Sequence, residues 1–211
     1  MLNNIKRILG KLSRTSDTST VSSFLESPAC PYCGIVQDPP PKRKKKCRDC
    51  GLAIYVKKRP DGQKYLTTER EAKRLDQEQR DAKWSELNRQ AIDSSTTGDW
   101  HAVKMAHFQQ ALMLFQEGRD HHQLAQESRK AELRHYLGVR EMGLGSGKVK
   151  ISTAREASCP TCRPLQGKVF GIEEALAEMP IPVRECQFRK DKKPHGGWCR
   201  CLYLPVLDDD L

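Results

Sequence analysis

The nine cysteines of this 211-residue chain fall into two groups with metal-ligand spacing, and no other feature limits its fold so strongly. Cys30, Cys33, Cys47 and Cys50 form two Cys-x2-Cys knuckles separated by thirteen residues. Cys159, Cys162, Cys186, Cys199 and Cys201 form the second group, with His195 among them. Hydrophobic residues make up 37% of the chain and charged residues 30%, which disfavours one large apolar core. Small modules with thin cores need staples, and metal-bound cysteines are such staples.

The same cysteines would pair as disulfides in a secreted protein, so the redox compartment matters. The opening MLNNIKRILGKL is interrupted by Lys6, Arg7 and Lys11 and has neither an apolar h-region nor a cleavage site, so it is not expected to act as a secretory signal. The longest apolar run elsewhere, 111–115, is too short to span a bilayer. A reduced, cytoplasmic chain with metal sites is the expectation. Ile5, Ile8, Leu9 and Leu12 share helical spacing with basic flanks, which suits either a surface-resting helix or a frayed basic start.

Residues 1–27 read as this basic segment followed by a Ser/Thr-rich linker. A zinc ribbon is expected over 28–66, where 52–56 and 64–66 flank Asp61-Gly62 as a β-hairpin. Thr68 and Glu71 form a capping-box pattern that opens a helical region over 67–140. Its first helix is expected to run to about Ile92. A second starts after Gly98-Asp99 and is apolar on two faces, as the buried centre of a bundle would be. A third is expected over 121–137. This helical hairpin loosely resembles a tetratricopeptide unit and reads as a scaffold or protein-partner surface. A glycine-rich linker is expected over 141–150. Its GLGSGK lacks the Walker spacing and the Ser or Thr after lysine. A cysteine-rich α/β module over 151–211 completes an α+β chain.

In the first group glycine follows each second cysteine, at Gly34 and Gly51, where an open backbone relieves the knuckle turn. Four thiolates leave no open position, so a structural zinc is expected on Cys30, Cys33, Cys47 and Cys50. Between the knuckles lie Lys42, Arg43, Lys44, Lys45, Lys46 and Arg48, six basic residues in seven positions. With formal net charge +10 and pI about 9.2, this loop points to DNA or RNA through phosphate contacts, with Tyr32 and Tyr55 available for stacking. A merely solvated loop is the alternative.

In the second group, Cys159-Pro-Thr-Cys162 repeats the knuckle, and Cys199 and Cys201 share one face of an extended segment. Five cysteines and His195 compete for four places. Cys159, Cys162, Cys186 and Cys199 are the first choice for a second zinc, with Cys201 or His195 as replacements and spare buried thiols as the bland reading. Cys159-Pro-Thr-Cys162, Leu165-Gln-Gly167-Lys-Val-Phe170, and His195 before Cys199-Arg-Cys201 and Pro205-Val206 resemble the C-terminal motif of phage Mu F-like head-morphogenesis proteins. The resemblance covers about the last fifty residues. It departs at Gly196-Gly197-Trp198, where the motif has proline after histidine, and at the extra Cys186. It implies a metal-bound module of mobile-element origin and, through it, a role in capsid assembly.

No His-Glu-x-x-His or deaminase pattern occurs. His101, His107, His121, His122 and His135 fall on expected helices. Glu173-Glu174 reads as a helix start and 208–210 as an acidic tail. The chain therefore reads as a non-catalytic adaptor holding two zinc ions, nucleic acid and a protein partner. A structural role in phage particle assembly is the first alternative, and a metal-dependent enzyme the second.

Overall fold

The computed structural model describes residues 28–154, 158–188 and 197–207. The amphipathic segment 2–12, His195 and the acidic tail lie outside them. The fold is α+β, with four α-helices and two small antiparallel sheets among the described residues. None of those helices is long and apolar enough to cross a membrane. The chain divides into two compact units, Met1–Glu78 and Gln79–Leu211.

In the first unit, strands β1 (Lys45–Lys46), β2 (Ala53–Lys58) and β3 (Lys64–Thr67) form a sheet in that order. The β2–β3 register pairs Lys58 with Lys64 and Tyr55 with Thr67 across the Asp61-Gly62 turn. Asp61 accepts from the Gln63 amide at 2.8 Å, and Gly62 takes the positive φ the turn demands. The lysine run, expected to be wholly loop, contributes β1 because Lys45 and Lys46 pair with Ile54 and Ala53. The core is very small: Cys30, Cys47 and Ile54, with Leu66 against them.

Helix α1 (Glu69–Thr97) starts where Thr68 Oγ1 accepts from the Glu71 amide at 3.2 Å. It outruns the expected end near Ile92 by five residues. Ser95, Thr96 and Thr97 return hydrogen bonds to carbonyls three or four residues back, and Gly98 closes the helix with φ +76.

In the second unit, Leu87 and Ala91 of α1 pack with Ala106 and Met113 of α2 (Trp100–Gln116). Asp99 caps α2 by accepting from the Ala102 amide at 3.0 Å. Helix α3 (His122–Glu141) packs along α2. Between them Glu132, almost wholly buried, accepts from both Lys104 and Arg129. The helix runs past the expected end at Leu137, carrying Gly138 within it, because tertiary packing of Leu133, Tyr136 and Leu137 outweighs one glycine's propensity.

The expected linker over 141–150 ends at Gly147, since Lys148–Ser152 is β4, the central strand of the second sheet. β5 (Val169–Gly171) and β6 (Leu202–Pro205) flank it, both antiparallel. Helix α4 (Ile172–Glu178) follows β5, with the Glu174 carboxylate accepting from the Gly171 amide at its start. One core joins Leu133, Val149, Ile151, Ile172, Ala175, Ile181 and Tyr203 to Cys162, Cys186 and Cys201.

Candidate metal centres

All nine cysteines are free thiols. In the first unit the two knuckles are built alike. The Gly34 amide donates to the Cys30 carbonyl at 2.9 Å and the Gly51 amide to the Cys47 carbonyl at 3.1 Å. Gly34 and Gly51 both take positive φ, which a side chain would resist. The turns bring four sulfurs together, all within 4.8 Å of one another. Cys30–Cys50 and Cys33–Cys47 are each 3.8 Å apart. That spacing is far too long for a disulfide, and it matches the roughly 3.8 Å that metal–sulfur bonds of about 2.3 Å impose around a tetrahedral ion.

The electrostatics also suit a cation. Backbone amides of Cys50 and Asp49 donate to the Cys47 sulfur and lower its pKa to about 7. At Cys33 the Ile35 amide pulls downward, yet desolvation and the neighbouring thiols leave the pKa raised to about 12. A metal ion would take the place of the protons these sulfurs share. Behind them, buried Gln37 donates from Nε2 to the Cys47 sulfur at 3.5 Å and to the Ile35 carbonyl at 3.2 Å. The spacing of the cysteines gave no hint of Gln37, whose role depends on the fold of the knuckle.

The second unit gathers all five of its cysteines. Cys159 and Cys162 sit on a turn after β4, tightened by the Cys162 and Arg163 amides donating to the Cys159 carbonyl. Cys186 follows α4, and Cys201 directly precedes β6. Cys201 and Tyr203 are buried while Leu202 and Leu204 face outward, the alternation of an extended strand. Cys159, Cys162 and Cys186 lie mutually within 4.8 Å, and so do Cys162, Cys199 and Cys201. The Cys159–Cys186 sulfurs are 3.7 Å apart and Cys162–Cys199 3.9 Å. Cys201, expected only as a replacement ligand, is therefore placed as firmly as Cys199.

Gly197 makes this convergence possible. Its amide donates to the Cys186 carbonyl at 2.9 Å, and a Cβ there would meet the backbone oxygens of Phe188 and Cys186 at less than 3.0 Å. The glycines before Trp198 stood out in the sequence only as a departure from a motif. Trp198 itself stacks on His121 at 5.4 Å and meets Phe108 and Phe115 edge-on or tilted. It seats the Cys199 segment on α2 and the start of α3.

Hydrogen bonds from the Cys186 and Cys201 thiols hold Cys199 far below the ordinary thiol range, and the same bonds drive Cys186 and Cys201 upward. Burial opposes ionisation of Cys159, but the Gln187 amide and the Cys162 and Cys186 thiols bring it to about 7. Burial and the charge on Cys199 raise Cys162 to about 12.

The basic residues occupy the strip that enters β1. Lys42, Arg43, Lys44, Lys46 and Arg48 are exposed and Lys45 is half-buried. Lys44 lies over the Tyr55 ring, 4.6 Å from its centroid, so that ring is already covered. Tyr32 keeps an exposed ring while its hydroxyl accepts from the Glu69 amide at 2.9 Å. On the neighbouring hairpin Lys57 pairs with Asp76. Among the described residues, no carboxylate forms an ion pair with Lys42, Arg43, Lys45, Lys46 or Arg48.

No family model matches the chain, and neither the curated proteins nor the solved structures searched contain a match.

Proposed function

We propose that this chain is a non-catalytic, zinc-stapled adaptor that binds nucleic acid through the basic strip of its first unit. Zinc suits the first cysteine set, because four thiolates at tetrahedral spacing form a closed structural site with no position for substrate. Thiolate-bound zinc in the second unit serves as a second staple, and the exposed α-helical surface offers room for a protein partner.

The observation that carries the nucleic-acid reading is a basic strip in which, among the described residues, only Lys44 feels a nearby carboxylate, that of Glu69. Five exposed basic side chains follow one another along a segment tied at one end by Cys33 and at the other by Cys47 and Cys50. Phosphate contacts to such a strip release counterions, so association would weaken steeply with salt. Lys42, Arg43, Lys44, Lys45 and Lys46 replaced together by glutamine should weaken binding to a nucleic-acid duplex or single strand and flatten its dependence on salt. Binding unchanged at low salt would remove the proposal.

Phage particle assembly is a second reading. It is favoured by the way the motif's Cys-x2-Cys turn, Gly167, Phe170 and Cys199-x-Cys201 gather about one small sheet. Portal and capsid genes beside this one would support it, and a purely regulatory neighbourhood would count against it.

A further inference from the structure

We infer that the second unit holds two metal ions, with Cys162 as the thiolate bridging them. The inference rests on the zinc-thiolate reading above and extends it from one ion to a pair.

The two units differ in how their sulfurs group. In the first, four sulfurs form a single mutually close set, which is what one tetrahedral ion requires. In the second, five sulfurs form two sets of three, Cys159–Cys162–Cys186 and Cys162–Cys199–Cys201, which share Cys162 and touch again where the Cys186 thiol meets Cys199. A single ion would use four of the five and leave one thiol idle within bonding distance of the others. Two ions use all five, because a thiolate sulfur has lone pairs enough to bind two metals at once.

Three of these sulfurs belong to residues almost wholly removed from water: Cys162 at 3%, Cys186 at 1% and Cys201 at 2% exposure. Charge buried there is costly unless neutralised. Four thiolates on one divalent ion leave two negative charges in this interior. Five thiolates on two divalent ions leave one. Each ion then has three sulfur ligands, one short of the four donors that zinc takes. Gly197 enforces the arrangement, since only a residue without Cβ lets the segment bearing Cys199 and Cys201 close onto Cys186.

The test is metal stoichiometry on the full chain, purified under reducing conditions and loaded with zinc. Three zinc ions per chain are expected, one in the first unit and two in the second. Two ions would overturn the bridged pair and leave the two-staple reading standing, while one or none would overturn both. Cys201→Ser should lower the count from three to two; a count still at three would show that Cys201 binds no metal and would overturn the pairing. Because Cys201 is also a core side chain, cadmium NMR of the unaltered chain provides a readout that needs no substitution. Two cadmium resonances coupled to each other through a shared sulfur are expected, and three mutually uncoupled resonances would refute the bridge.

Discussion

Gln37 and Gly197 each support a metal set without supplying a ligand. Gln37 Nε2 points at the Cys47 sulfur from a buried position, a donor that steadies a thiolate and orients it. Gln37→Ala should lower metal affinity of the first site by about 10-fold with the fold retained, read by competition with a chromogenic chelator. Gly197→Ala should be far more damaging, because the backbone oxygens it would meet cannot swing aside as a flexible side chain can. We expect loss of metal from the second site alone, seen as a fall in zinc content with the first site still occupied. Neither residue was legible in the sequence. The cysteines announce themselves by spacing, since neighbouring ligands on a knuckle are local, whereas Gln37 and Gly197 matter only once distant backbone has closed around them.

At the scale of elements, the hairpin and the helix starts were readable because Asp61-Gly62, Thr68 with Glu71, and Asp99 act on amides within three residues. Helix ends and short strands were not. α1 continues through a Ser/Thr run with no apolar pattern, β1 is made of two lysines, and β4 begins where a glycine-rich linker was expected. For β1 and β4 pairing with a remote segment decides the outcome, whereas the last turn of α1 is held by its own Ser and Thr hydroxyls on nearby carbonyls. The start of α3 depends on Asp120, whose carboxylate accepts from the His122 amide at 3.0 Å. That hydrogen bond holds the Asp120 pKa below its ordinary 3.8. The folded state thus prefers the charged form, so the contribution is complete above the unfolded pKa and is lost as pH falls through the lower folded value. Thermal denaturation followed from about pH 5 to about pH 2 should show a steeper fall for the native chain than for Asp120→Asn, which keeps an acceptor but has no proton to gain.

For the molecule as a whole, the contrast in cores is decisive. The first unit buries Cys30, Cys47 and Ile54 with little else, so its sheet depends on whatever holds the four sulfurs. The second unit has a broad core in which cysteines are three residues among ten. Chelation under reducing conditions should therefore collapse the NMR dispersion of residues 28–67 while most helical circular dichroism remains. Complete loss of both together would show that the two cores are not independent. This division of labour follows from composition, since a charged chain with few apolar residues concentrates them in one place and staples the rest.

Trp198 gives the second centre a property of a different kind. Its indole lies one residue before Cys199 and is held among Phe108, Phe115 and His121. Trp84 and Trp100 instead rest beneath arginines, Arg80 and Arg134. Release of the Cys199 segment would free Trp198 into water and shift its emission to the red, and Trp198→Phe should abolish that shift. The protein thus carries its own optical gauge of whether the cysteine-rich end is closed.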